Sequence, residues 1–177
     1  AMNIRIIAKE LHNIKTETGK ILHLDIEPEA DGLIENSDEV IDFFKKYLSG
    51  NDEEILREHI RVCYDVCHFA VGYERPRDVI KKFSDEGIHI GKVQISAALK
   101  VFLPKEKDER KKLYEILLPF AESSYLHQTI EKKSSGEFLH YQDLHHALEN
   151  IFTTDANEWR IHYHIPVFMN SFGAIKS

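Results

Sequence analysis

RVCYDVCHFAV, residues 61–71, is a nearly continuous apolar run that, after Arg61, carries two polar residues, Asp65 and His68. A run without regular polar alternation is typical of a strand that is buried on both faces of a sheet. The polar pair then stands near the carboxyl end of the strand, which is where parallel α/β folds bind their ligands. This stretch therefore predicts a buried parallel strand that ends at a candidate site.

Strand and helix signals alternate on both sides of this stretch. Further strands are predicted over 21–27, 89–101, 124–130 and 159–168, with helices between them. The segment EKKSSGE, residues 131–137, is interpreted as a polar loop. This alternation indicates an α/β fold with a parallel sheet, either an open doubly wound sheet or a (β/α) barrel. No dinucleotide-binding GxGxxG motif and no P-loop follows a strand, so the usual nucleotide-binding signatures are missing.

The helix boundaries carry local signals of their own. Gly19 is placed to end an N-terminal helix. Asn36, with Glu39 three residues later, forms the pattern of a capping box at the start of the next helix. Pro76 is placed to begin a later helix, which Gly87 ends. These signals agree with the helices that the apolar spacing predicts.

The composition limits the classes of protein and partner. The chain has 177 residues and a net charge of −7, which disfavours a nucleic-acid backbone or an anionic membrane surface as a partner. No apolar run approaches the roughly 20 residues that span a bilayer, and no signal peptide is evident. Cys63 and Cys67 are interpreted as reduced thiols, which predicts a cytoplasmic protein. The charge-rich run 51–58 is interpreted as a solvated helix face.

Polar residues that could carry chemistry stand at or near the ends of the predicted strands. These residues are Glu27, Asp65, His68, Gln94, His162 and His164. Carboxylates and imidazoles that converge at one sheet edge suggest a bound divalent cation, either Mn²⁺, Mg²⁺, Co²⁺ or Zn²⁺. An ordinary structural interpretation stays open for Asp65 as a loop cap and for His68 as a hydrogen-bonded core histidine.

Five motifs in order resemble a known family. The IEP of LHLDIEPEADG and the Asp-x-x-His of CYDVCHFAV resemble the xylose-isomerase-like sugar isomerase and epimerase superfamily. More closely, EPE, CYDVCHFAV, GKVQISAAL, YLHQ and WRIHYHIPVF are similar to the EboE-like metabolite-traffic family of TIM barrels. The resemblance implies that residues 1–177 form one domain, the C-terminal part of a partial (β/α)8 TIM barrel that lacks its final strand.

The resemblance also implies roles for the site residues. Its metal ligands would be Glu27, Asp65, Gln94 and His164, with Gln94 standing where the superfamily usually has a histidine. Its catalytic residues would be Glu27, Asp65 and His68, and substrate would contact His68 and His162. The choice between His162 and His164 as the replacement ligand stays open. So does the choice between ligand and proton-transferring base for Glu27.

The implied activity is metal-assisted isomerisation or epimerisation of a sugar or sugar phosphate. Two alternatives stay open: a barrel that binds or hands over a metabolite without turnover, and an inactive truncated module that binds other proteins. A half-barrel would leave two sheet edges and an apolar face uncovered, which predicts that copies of the chain associate.

Overall fold

The computed structural model describes residues 2–121, 125–168, 171–172 and 175–176. The chain divides into two compact units. Unit 1 comprises residues 1–69 and 74–94, and unit 2 comprises residues 70–73 and 95–177. Each unit is built on a sheet and an apolar core of its own.

The chain up to Gln94 follows the predicted alternation of helices and strands. Its elements are α1 (Met2–Thr18), β1 (Leu24–Ile26), α2 (Ser37–Tyr47), α3 (Glu53–His59), β2 (Ile60–Asp65), α4 (Val66–Val71), α5 (Pro76–Asp85) and β3 (Ile90–Gln94). The strands form a sheet of order β1-β2-β3, and both pairings are parallel. The central strand β2 is buried along most of its length.

The predicted helix boundaries of unit 1 are confirmed. Gly19 follows the end of α1 with a φ of 71°, a left-handed conformation that glycine adopts without strain. Asn36 caps α2, because its side chain accepts a hydrogen bond of 3.0 Å from the backbone N–H of Glu39. Pro76 begins α5, and Gly87 follows that helix with a φ of 63°.

The core of unit 1 lies where the helices cover the parallel sheet. Its buried side chains are Ala8, Val40, Phe44, Leu48, Leu56, Ile60, Val62, Tyr64, Phe69, Val79, Phe83 and Ile88. Tyr64 of β2 stacks on Phe69 of α4 with ring centroids 4.5 Å apart. Burial of a large apolar side chain contributes about 1.5–3 kcal/mol. This packing therefore holds the ends of the strands in a defined place.

Unit 2 is dominated by antiparallel strands. Its elements are β4 (Ala97–Phe102), α6 (Lys107–Ala121), β5 (Thr129–Lys133), β6 (Phe138–Tyr141), α7 (Leu144–Glu149), β7 (Ala156–Ile165), β8 (Ser171–Phe172) and β9 (Ile175–Lys176). The sheet has the order β6-β5-β7-β4-β9-β8, and its pairings are antiparallel. Its core is built around Leu99, Val101, Leu117, Trp159 and Ile161.

The prediction of a partial (β/α)8 TIM barrel is wrong. The chain forms a small parallel sheet and a separate antiparallel sheet. The strand that was expected over 89–101 is two strands in different sheets, because β3 ends at Gln94 and β4 begins at Ala97. The expected loop 131–137 is largely a hairpin, in which β5 pairs with β6 across a turn that holds Gly136 at a φ of 89°.

Two further strand predictions are corrected, because an apolar run records burial and leaves backbone conformation and strand direction open. The run 61–71 is a strand only to Asp65 and continues as α4, since apolar content records burial and not backbone conformation. The expected parallel strand 159–168 is β7, which runs antiparallel between β5 and β4. Every antiparallel pairing of this kind removes the basis for a half-barrel. The argument from uncovered barrel edges to self-association loses its basis with it.

Unit 2 holds a buried carboxylate at the centre of its core. Glu131 of β5 is only 1% exposed. Its Oε2 accepts hydrogen bonds from Trp159 Nε1 at 2.9 Å and from the Tyr141 hydroxyl at 3.3 Å. Its Oε1 accepts a hydrogen bond of 2.8 Å from Thr154 Oγ1. Burial, followed by the charge of Glu131, raises the pKa of Tyr141 to about 12, so this phenol stays a donor at neutral pH.

We expect Glu131→Gln to destabilise the protein by about 1–3 kcal/mol, because an amide nitrogen cannot accept from the buried indole or hydroxyl donors. Urea unfolding followed by the fluorescence of Trp159, the single tryptophan of the chain, measures the change. Glu137→Gln is the matched control, since the Glu137 side chain is 66% exposed. Equal unfolding midpoints for the two variants would contradict this role of Glu131.

Candidate functional site

Three of the predicted ligands meet at the carboxyl edge of the parallel sheet in unit 1. Glu27 directly follows β1, Asp65 is the last residue of β2, and Gln94 is the last residue of β3. Parallel strands bring their carboxyl ends to one edge of a sheet, so the strand pairing itself places these residues together. We call Glu27, Asp65 and Gln94 the strand-end cluster.

The side chain of Gln94 joins the two carboxylates. Its Nε2 donates to Glu27 Oε1 and, at 2.9 Å, to Asp65 Oδ2. Its Oε1 accepts a hydrogen bond of 2.9 Å from Lys92 Nζ, which favours the orientation that directs the amide NH₂ at the carboxylates. Asp65 is fully buried, whereas the Glu27 side chain is 39% exposed. The cluster therefore has a fixed inner carboxylate and an outer one that solvent reaches.

The backbone around α4 holds Asp65 and His68 in place. Asp65 Oδ1 accepts hydrogen bonds from the N–H groups of Cys67 at 2.8 Å and of His68 at 3.4 Å. The His68 ring bonds through Nδ1 to the carbonyl oxygen of Pro28 at 2.8 Å, which puts a proton on Nδ1. Both structural interpretations from the sequence are therefore realised. The backbone hydrogen bonds use Oδ1 of Asp65, whereas its Oδ2 accepts from Gln94.

Cys63 lies one strand position before Tyr64 in β2 and contributes no thiolate at neutral pH. Burial, followed by the nearby charge of Glu27, raises the pKa of the Cys63 thiol to about 11. A protonated thiol is a poor metal ligand and a poor nucleophile. The interpretation of Cys63 as a reduced structural thiol agrees with this setting.

The two predicted histidine ligands belong to unit 2. His162 and His164 lie on one face of β7, with their Nε2 atoms 3.0 Å apart. His162 Nδ1 lies 2.7 Å from Gln128 Oε1, which can only accept, so His162 carries its proton on Nδ1. His162 Nε2 then accepts from His164 Nε2. The expectation that His164 ends a parallel strand is wrong, because β7 is antiparallel, while its role as a metal ligand stays a prediction.

Sequence reasoning missed a second group of residues in unit 1. His12 of α1 and Glu58 and His59 at the end of α3 offer ligand atoms that all lie within 4.8 Å of one another. The run 51–58 was interpreted as a solvated face, yet Glu58 is half-buried and His59 fully buried. A histidine directly before a buried strand was the available signal. We call these three residues the imidazole cluster.

No family model matches this chain, and no curated protein or solved structure matches it significantly. The resemblance to sugar isomerases and metabolite-traffic barrels thus stays a prediction that rests on the sequence motifs. In the part of the chain that the structure describes, no helix has both the length and the apolar character needed to cross a membrane.

The two oxygens of Asp65 have separable roles, which gives a testable prediction. We expect Asp65→Ala to destabilise the protein by about 1–3 kcal/mol, because the buried N–H of Cys67 loses its acceptor. Asp65→Asn keeps an oxygen for that N–H, so we expect it to destabilise the protein less. Urea unfolding of both variants provides the measurement. Equal losses of stability would contradict a capping role for Oδ1.

Proposed function

We propose that this chain binds a divalent cation, Mg²⁺ or Mn²⁺, at the strand-end cluster, and through it a small hydroxylated metabolite such as a sugar or sugar phosphate. The observation that supports this most is the meeting of Glu27, Asp65 and Gln94 at the carboxyl edge of the parallel sheet. Two carboxylates directed at one point repel each other unless positive charge lies between them. In the structure the NH₂ of Gln94 supplies part of that charge.

A cation would take the place of the Gln94 amide nitrogen. Rotation of the amide by half a turn about its last side-chain bond exchanges Nε2 and Oε1, so that three oxygens converge. The rotation breaks the hydrogen bond from Lys92, which the carboxylate–cation attraction would offset. Carboxylate and amide oxygens suit Mg²⁺ and Mn²⁺ better than Zn²⁺. For this site we therefore favour the harder ions among the metals that the sequence suggests.

The coordination demand of the cation argues for a small-molecule partner. Mg²⁺ takes about six oxygens in an octahedral arrangement and is usually bound by one or two carboxylates together with water or substrate oxygens. The exposed Glu27 side chain keeps the cluster open to solvent. Neighbouring hydroxyls or phosphate oxygens of a sugar could fill the remaining positions. His68, bonded to Pro28 next to Glu27, is placed to contact such a ligand.

Binding without turnover is the form of the proposal that we favour. Sugar isomerisation requires an enclosed arrangement of metal, ligands and base. The TIM barrel that the resemblance implies would have provided this enclosure. The fold is not a barrel fragment, so that enclosure loses its basis. Binding and handover of a metabolite needs only the cation and an accessible edge. Glu27 would act as a ligand in this proposal and not as a base.

Calorimetric titration with Mn²⁺ at neutral pH tests the cation site. We expect Glu27→Gln and Asp65→Asn each to weaken Mn²⁺ binding by about tenfold or more, equivalent to roughly 1.4 kcal/mol, since each removes a charged ligand. Glu17→Gln, an exposed residue of α1, is the charge-matched control. In the amide NMR spectrum, Mn²⁺ should broaden the signals of Cys67 and His68 first. Unchanged affinity in both ligand variants would refute the site.

Titration of the Mn²⁺-loaded protein with ketoses, aldoses and sugar phosphates tests the metabolite. We expect binding in the presence of Mn²⁺, loss of binding after chelation, and no product in the NMR spectrum of the sugar. Appearance of an isomerised sugar that Asp65→Asn abolishes would favour the isomerase that the resemblance implies. If the protein binds Mn²⁺ but the Mn²⁺-loaded protein binds none of the sugars, the proposal of a metabolite ligand is refuted and the cation site stands.

A further inference from the structure

The imidazole cluster lies at the other end of β2 from the strand-end cluster. His59 directly precedes β2, and Asp65 is its last residue. Strand residues advance by about 3.3 Å each, so roughly 20 Å of strand separate the two positions. His12 reaches the same place from α1, and Glu58 precedes His59 in α3. All three side chains belong to unit 1 and can be considered together.

His59 has a buried ring nitrogen that is prepared to accept. The side chain is fully buried, and its Nδ1 donates to the carbonyl oxygen of Leu22 at 2.7 Å. In the neutral ring, that bond fixes the tautomer and leaves a lone pair on Nε2. Nε2 is buried and has no hydrogen-bond partner among the residues that the structure describes. A histidine that bonds a backbone carbonyl through one nitrogen and presents the other has the usual arrangement of a metal ligand.

Glu58 faces this nitrogen with a charged oxygen. Its Oε2 lies 3.3 Å from His59 Nε2, and the ammonium of Lys15 bonds its Oε1. The hydrogen bond from Lys15 lowers the pKa of Glu58, so the carboxylate stays charged. A lone pair on nitrogen and a carboxylate oxygen repel each other at this distance. A positive charge between the two atoms would remove that repulsion.

His12 supplies a third candidate ligand. Its Nδ1 is buried, has no hydrogen-bond partner in the described part of the chain, and lies 3.9 Å from Glu58 Oε2. The His12 ring meets the His59 ring edge to face, with centroids 5.7 Å apart. Ligands at about 2.0–2.1 Å from a tetrahedral Zn²⁺ are roughly 3.3–3.4 Å from each other. The Glu58–His59 separation already has this value, and His12 Nδ1, at 3.9 Å, would have to approach Glu58 Oε2 by about half an ångström.

We propose that His12, Glu58 and His59 bind Zn²⁺. Two imidazole nitrogens and one carboxylate oxygen suit Zn²⁺ far better than Mg²⁺, which separates this site chemically from the strand-end cluster. Three protein ligands leave one position of the tetrahedron open. His12 and Glu58 also line a groove of about 740 Å³, and the other charged residues of its lining are Lys15, Glu54, Arg57 and Arg61. In this proposal the fourth ligand is water or a small anion that enters from the groove.

Titration with Co²⁺, a spectroscopic substitute for Zn²⁺, tests the site. We expect a visible absorption band typical of four-coordinate Co²⁺. Addition of Zn²⁺ should displace the Co²⁺ and abolish the band. His12→Gln and Glu58→Gln should each weaken Zn²⁺ binding by at least about tenfold. Mutation of residues that only hydrogen-bond to a metal ligand already costs about tenfold, and a direct ligand should cost no less. His59→Gln should weaken Zn²⁺ binding likewise, and circular dichroism shows whether that buried substitution still folds. His145→Gln is the control, with a side chain that is 66% exposed.

Two results would overturn the proposal. One is Zn²⁺ affinity that neither His12→Gln nor Glu58→Gln changes, which would assign the binding to other histidines. The other is an NMR spectrum that shows protons on both ring nitrogens of His59 at neutral pH, in the metal-free and in the Zn²⁺-treated protein. Nε2 would then donate to Glu58 and could not bind a metal ion. The Co²⁺ spectrum and the Mn²⁺ titration are separate readouts, so failure here is distinguishable from failure of the strand-end site.

Discussion

The parallel pairing of β2 with β1 and β3 is the constraint on which both candidate sites depend. Parallel pairing places the carboxyl ends of all three strands at one edge, which brings Glu27, Asp65 and Gln94 within hydrogen-bond reach. The same pairing fixes the amino end of β2 under α1 and α3, where His12 and His59 meet. A change of strand direction would separate each set of side chains.

The two sites differ in the chemistry of their ligands and in how their charges are balanced. At the carboxyl edge, oxygen ligands dominate, and the amide of Gln94 and the ammonium of Lys92 form a neutralising chain. At the amino edge, nitrogen ligands dominate, and Lys15 neutralises one oxygen of Glu58 while the other faces His59. The two proposed sites would therefore favour different cations, a hard ion at the carboxyl edge and a borderline ion at the amino edge.

Local signals predicted unit 1 well because they act over a few residues. The cap at Asn36 and the turn at Gly19 each depend on one side chain and its own backbone. The convergence of Asp65 with Gln94 was also predictable, since parallel strands with polar last residues leave little choice. The cluster at His59 was not, because a single histidine reveals neither its tautomer nor its neighbours.

Unit 2 could not be predicted in the same way because its pairings join distant parts of the chain. In β7, residues around Trp159 alternate between buried and accessible, a pattern typical of an antiparallel strand. The alternation of apolar and polar residues in WRIHYHI, 159–165, was the available signal, although it names neither neighbouring strand. The run 89–101 gave no sign that Ile95 and Ser96 separate strands of two different sheets. Apolar runs report burial and leave partner and direction open.

Anomalous diffraction from crystals of the protein soaked in Mn²⁺ tests the central claim most directly, because it locates the cation relative to the strands. We expect a peak at the carboxyl edge of the parallel sheet, bonded to Glu27 and Asp65, with the Gln94 amide turned to present its oxygen. A strand-end cluster without a peak, with Gln94 Nε2 still bonded to both carboxylates, would contradict it.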